Sequence, residues 1–221
     1  MSIRRLLLNL RLLTCLMFVA YALVCASFVP LGVATLRRIG PKKVVLLHEN
    51  TATIAADLRA KAWVTDFNWL TVSCCCVAAI LTATWSWSIA THAAEQGMHR
   101  PRLRRAAYGW LIPFGCWVIG FQEVLRVSRA RELDFRLVRR WQIVFFVASV
   151  FGLLSRGGED SADHSEILGV LRGQGWMRLA DAVVFAVAAG FAAVAVRDIN
   201  RSFLPRPKAV IGTASSAPTE R

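Results

Sequence analysis

The sequence predicts an all-α, polytopic membrane protein. It has four transmembrane helices plus one Pro/Gly-broken segment that is either re-entrant or a fifth membrane helix. Three observations carry this expectation. Residues 12–36 and 67–94 are apolar blocks without a charged residue, longer than the roughly 20 residues that cross about 30 Å of hydrocarbon as helix. The chain is 56% hydrophobic over 221 residues, and a soluble domain would divide that content into short amphipathic runs. Finally, 27 basic residues face 14 acidic ones, a formal net charge of +13. The cations crowd the ends of the apolar blocks, where they set orientation and meet anionic headgroups. No aromatic-basic platform accompanies them, so nucleic acid is not an expected partner. The expected partners are the lipid bilayer, with anionic headgroups at the basic loops, and a membrane-protein partner or homo-oligomer.

The first span is placed at residues 12–36. Arg4, Arg5 and Arg11 precede it and a small-residue site lies near Ala26, as in a secretory signal. The apolar run continues to Leu36, beyond the usual signal core, which predicts an uncleaved anchor. Pro30 and Gly32 are expected to bend its far end. Residues 37–66 read as a charged connection with a short helix around 53–62. The second span is placed at 67–90, with Trp63 and Trp69 at its start and Trp85 and Trp87 at its end, as in aromatic belts.

A basic loop, HRPRLRR, leads into the intramembrane segment 106–123, and a second basic stretch covers 126–140. The next span, 141–155, has only 15 uncharged residues. It must borrow Leu137 and Val138 while Arg139, Arg140 and Arg156 snorkel. Residues 157–175 form the one acidic loop. The last span, 176–196, carries Ala182, Ala186 and Gly190 at i, i+4 and i+8, a stripe expected to let helix backbones approach closely. Residues 1–203 thus form a single helical membrane domain, and 204–221 read as a disordered tail.

The stretch YGWLIPFGCWVIGFQE, residues 108–123, decides the topology. As a helix it would align Trp110, Phe114, Trp117 and Phe121 on one face, beside Gly109, Pro113, Cys116 and Gly120. It lacks the charged face of a surface-lying helix. The expectation is therefore insertion with the aromatic face to lipid and the small face to protein, breaking near residues 113–115. Four spans and a re-entrant segment place both termini and residues 91–140 in the cytoplasm. Five spans would translocate Arg100, Arg102, Arg104 and Arg105 in a loop of about fifteen residues, against the rule that short cationic loops stay inside. Four spans are preferred, with five as the alternative.

In order, Trp85 lies near the end of a span, a basic loop follows, then Gly109-Trp110, Pro113, Phe121-Gln122, a second basic stretch and Trp141. This arrangement resembles a family of small, largely actinobacterial membrane proteins called domain of unknown function 4328. Cys116 stands where that pattern has asparagine, Gly120 where it has a second proline, and Ser88 and His92 where it has arginine and asparagine. The family has no established activity, so the resemblance implies architecture alone. It marks Trp85, Gly109, Trp110, Pro113, Gln122 and Trp141, with the adjoining Glu123, as the candidate motif.

Chemistry-bearing residues are few. All six cysteines lie in apolar blocks, and three neighbours such as Cys74, Cys75 and Cys76 point about 100° apart on a helix, as apolar filler rather than a ligand set. His92 and His99 read as interfacial. Glu159, Asp160, Asp163, His164 and Glu166 read as a solvated acidic loop. Asp181 is expected to pair with Arg178 near a membrane interface. Glu123, near Arg126, closes the broken segment, an arrangement a transporter would use. No serine–histidine–acid set, H-E-x-x-H or phosphate loop occurs, so no catalytic residue, cofactor or metal site is expected. The functional expectation is a non-catalytic cell-membrane protein acting through membrane or partner contacts. The alternative is a small transporter or channel using residues 108–123 and Glu123, and a membrane-embedded enzyme ranks third.

Overall fold

The computed structural model describes residues 3–48, 50–97, 103–112, 115–154 and 166–203. Every described element is helical: α1 (Ile3–Leu47), α2 (Thr51–Glu95), α3 (Leu103–Tyr108), a π-helical turn (Cys116–Gly120), α4 (Phe121–Ala130), α5 (Phe135–Leu154) and α6 (Ile167–Ser202). Four helices, α1, α2, α5 and α6, are long and apolar enough to cross a membrane. Their outward faces are apolar as well. Leu12, Leu16 and Leu23 on α1, Ile80 on α2, Ile143 on α5 and Val183 on α6 are all exposed, the surface that hydrocarbon solvates and water does not. The acidic-loop residues 155–165, Pro113 and Phe114, and the tail from 204 lie outside the described residues.

Residues 37–66 are not a loop. α1 continues through Pro30 and Pro41 to Leu47, and α2 begins at Thr51. At 45 residues each, these helices run about 67 Å, more than twice the hydrocarbon thickness. Two local features make the extension possible. Asn50 caps α2 through a capping box: its side chain accepts from Thr53 N at 2.9 Å, and its own N–H donates to Thr53 Oγ1 at 3.1 Å. This satisfies N–H groups that a helix start leaves open. Across the hairpin, Arg38 Nε donates to Asp57 Oδ1 at 3.1 Å, and Lys42 Nζ lies 3.7 Å from Asp57 Oδ2. Charges that read as loop residues in the sequence clasp two helices.

α1 packs against both α2 and α6, and α5 packs on α6. α2 and α5 are thus the two ends of the row, and the short elements close the seam between them: α3 packs on α2, and α4 on both α2 and α5. The turn from α4 into α5 is built locally. Glu132 takes a left-handed backbone (φ 55°), with Leu133 N donating to Ser128 O at 3.0 Å and Glu132 N to Arg129 O at 3.1 Å, a Schellman termination. Asp134 Oδ1 then accepts from Arg136 N at 2.9 Å to start α5. α5 begins at Phe135, so the short 141–155 span does gain Leu137 and Val138, and Val138 is buried while Arg139 and Arg140 are exposed.

The α1–α6 contact depends on glycine, but not on the stripe at Ala182, Ala186 and Gly190. Ala186 and Gly190 are exposed, a Cβ at Gly190 would meet nothing within 4 Å, and only Ala182 is half-buried. The inward face of α6 is instead Ala188, Ala192, Ala195 and Val196. Spacing of i, i+4 fixes a face but not which way that face turns, and at Ala186 and Gly190 it turns outward from the monomer. The close approach falls earlier, where Gly32 meets Gly175. A Cβ on Gly32 would lie 2.8 Å from Leu179 Cγ and 3.1 Å from Gly175 O, and one on Gly175 would lie 2.6 Å from Leu36 Cδ2. Gly32 therefore acts as a packing residue.

Arg178 and Asp181, expected near an interface, are turned into the protein. Arg178 donates to Thr35 Oγ1 of α1, and Asp181 is fully buried, its carboxylate facing Gly152 of α5. Replacing Gly175 with Leu should destabilise the bundle by about 1–3 kcal/mol through overpacking, whereas Gly190→Leu should leave the monomer's stability unchanged. Thermal unfolding of both variants in detergent checks this. Equal losses would place the stripe back in the core.

Candidate functional site

The candidate motif converges on the seam. α3 ends at Tyr108, and the chain then turns tightly: Gly109 N donates to Arg105 O at 3.0 Å, and Leu111 N and Ile112 N both donate to Tyr108 O, at 3.0 and 3.1 Å. Helix resumes as the π-helical turn before α4. Residues 106–123 therefore do not form one continuous helix, and the break already begins at Gly109, ahead of residues 113–115.

Two glycines let the two limbs of this break touch. A Cβ on Gly109 would lie 2.7 Å from Gly120 N and 2.7 Å from Arg105 O. One on Gly120 would lie 2.8 Å from the indole carbons of Trp110. No side chain at position 120 fits against that ring.

For Trp110 and Phe121 the orientation expected for the aromatic face is reversed, while Phe114 and the Trp117 side chain lie outside the described residues. Trp110 is 5% exposed and Phe121 is fully buried, while Tyr108, Leu111, Ile112 and Val118 face outward. Trp110 stacks on Trp141 (centroids 5.8 Å, 22° between planes) and meets Phe121 at 4.8 Å. Phe121 stands edge-on to Trp141 at 4.8 Å, and Phe145 joins both Trp110 and Phe121. The segment is not a single helix, so one helical wheel does not describe it. With a break at Gly109, the two halves each aim their aromatic residue at the seam. Quadrupolar stacking adds about 0.5–1.5 kcal/mol per pair to simple burial.

Trp85, the distant member of the motif, is fully buried in the same apolar cluster. Its Nε1–H donates to Asn200 Oδ1 at 3.2 Å, Asn200 Nδ2 donates to Thr14 Oγ1 at 2.9 Å, and Thr14 donates to Leu10 O. One polar chain thus ties α2, α6 and α1 together. Gln122 is exposed. Glu123 is 2% exposed, accepts from Arg126 Nη1 at 2.7 Å through Oε1, and among the described residues has no hydrogen-bond partner at Oε2. The structure therefore unites Gly109, Trp110, Trp141 and, one shell out, Trp85, places Glu123 inside and leaves Gln122 out.

Sequence reasoning missed Asn200, Phe145 and the Tyr21–Thr82 pair, whose hydroxyls are 2.8 Å apart between α1 and α2. An asparagine near the end of an apolar helix was the one available signal. A cavity of about 230 Å³ lies beside this pair, walled by Val24, Cys75, Trp110, Cys116, Phe145 and Phe185 among others. Cys75 lines it and Cys76 is exposed, so the cysteine triplet does diverge.

His92 is buried. Its Nδ1–H donates to Ser88 O at 2.7 Å and its ring stands edge-on to Phe203, over which Arg131 also lies at 4.4 Å. It packs the end of α6 rather than facing an interface, and His99 lies outside the described residues. Among the described residues no group of three or more histidine, cysteine or acidic side chains gathers around one point.

Comparison with protein-family models, curated proteins and solved structures finds no match to this chain. The glycine contact yields a direct expectation. Gly109→Ala and Gly120→Ala should each cost about 1–3 kcal/mol, Gly109 the more, because its added carbon meets backbone that cannot rotate away. Thermal unfolding followed by tryptophan fluorescence reports it, and unchanged midpoints for both would dismiss the contact.

Proposed function

We propose that this chain is a non-catalytic, multi-pass protein of the cell membrane that acts through contacts of its helices with lipid and with partner membrane proteins or a second copy. The supporting observation is how the interior is filled. Met17, Trp85, Phe121 and Trp141 have no more than 1% exposure, and Tyr21 with Thr82, Trp85 with Asn200 and Asn200 with Thr14 make bonds from helix to helix among them. In lipid such bonds serve association of helices. The kinship with the domain of unknown function 4328 family belongs to the same proposal. It is supported by the convergence of Gly109, Trp110 and Trp141 at one seam.

A second reading, a small transporter or channel, draws on Glu123. A buried carboxylate with one oxygen lacking a partner among the described residues, beside a broken helix, is the kind of group that binds a coupling ion. Reconstitution into liposomes separates the two. The first reading expects cation or proton flux no greater than in empty vesicles, for wild type and Glu123→Gln alike. Flux in the wild type that Glu123→Gln abolishes would establish the second.

The proposed topology has four crossings, with both termini and the two basic stretches in the cytoplasm. In a cysteine-free background, single cysteines at the exposed positions Gln96 and Ala130 bracket the broken segment. Both should resist an impermeant thiol reagent on intact cells and react after the membrane is opened. Labelling of one alone from outside would mean five crossings.

A further inference from the structure

A groove of about 370 Å³ runs between α1 and α2, floored by Pro30, Val33, Ala34, Ala60 and Phe67, with Trp63 and Arg37 at its mouth. That volume lies in the range of about 300–1,000 Å³ typical of ligand sites. Its position is informative. Arg37 is the first charge after the uncharged run 12–36, and Trp63 precedes the apolar block that starts at Phe67. The groove therefore crosses the boundary where hydrocarbon gives way to headgroups, the level tryptophan and arginine occupy.

The cations near it divide by role. Arg38 is 3% exposed and bonded to Asp57, and Lys42 leans on the same carboxylate. Arg37 points the other way: it is exposed and has no hydrogen bond or ion pair among the described residues. The hairpin clasp thus engages Arg38 and Lys42 and leaves the Arg37 guanidinium over an apolar trough. A guanidinium presents forked N–H donors that match phosphate oxygens. We propose that this groove binds an anionic phospholipid of the bilayer, one acyl chain lying against Ala34, Ala60 and Phe67 and its phosphate on Arg37. A free phosphate would leave the trough empty, and a zwitterionic lipid would bring its own cation to the same mouth.

The test uses the full-length protein in detergent, titrated with phosphatidylglycerol or phosphatidylcholine and followed by native mass spectrometry and thermal unfolding. Phosphatidylglycerol should be retained in preference and should raise the unfolding midpoint. Arg37→Gln, at an exposed site, should lower its affinity roughly fivefold, the effect of removing one cation at a lipid surface, with Arg37→Lys losing less. Ala60→Leu, which fills the trough, should weaken both lipids while helicity by circular dichroism stays unchanged. Millimolar inorganic phosphate should not displace the lipid.

Equal retention of the two lipids by the wild type, or retention unaffected by both Arg37→Gln and Ala60→Leu, would overturn the assignment. Displacement by phosphate alone would overturn the acyl-chain contact. A lipid-free dimer abolished by Ala60→Leu would assign the groove to a second copy instead.

Discussion

The contact between Gly109 and Gly120 is the constraint on which the rest of the bundle depends. α2 and α5 sit at opposite ends of the helix row and leave a seam. A continuous helix would close it with one aromatic face and bring its ends out on opposite sides of the bundle. A chain that folds back on itself brings two aromatic side chains to the same point, Trp110 from one limb and Phe121 from the other. That return is possible only where the limbs lack Cβ atoms. Trp141 completes the stack from α5, and the Schellman turn at Glu132 with the Asp134 cap sets the angle at which α5 arrives.

Beyond the seam, cohesion comes from closeness and from a few hydrogen bonds. In lipid there is no hydrophobic gain in joining two apolar helices, so packing and interhelical hydrogen bonds must suffice. The Gly32–Gly175 crossing supplies the first between α1 and α6. Tyr21–Thr82, Arg178–Thr35 and the Trp85–Asn200–Thr14 chain supply the second. Each bond is worth about 0.6 kcal/mol by the usual measure in membranes. Their value lies as much in register as in energy, because a shift of one turn would bury every one of these groups without a partner.

The α1–α2 hairpin adds a feature that a minimal four-span bundle lacks. Both helices continue well past the hydrocarbon thickness, joined by a cap at Asn50 and a carboxylate shared by Arg38 and Lys42. The projecting part still exposes Val44, Leu47, Leu58 and Trp63. Such a surface suits the headgroup region or a protein neighbour better than open water.

The sequence by itself determined the fold class and the number of long apolar helices, because uncharged runs that exceed the bilayer thickness have few alternatives in lipid. It also marked Gly109, Trp110 and Trp141, and placed Leu137 and Val138 in their helix. What it could not determine was direction. Periodicity shows that Ala182, Ala186 and Gly190 share a face, but not whether that face looks to lipid or to protein when both are apolar. For Trp110 and Phe121 it presumes one helix, where the chain in fact breaks at Gly109. Nor could local pattern separate a charged loop from two helix extensions, since Arg38, Lys42 and Asp57 become helix-compatible only by pairing across the hairpin. The tertiary structure decided these points because each depends on which backbone lies within about 3 Å of another, and the residues concerned are far apart along the chain.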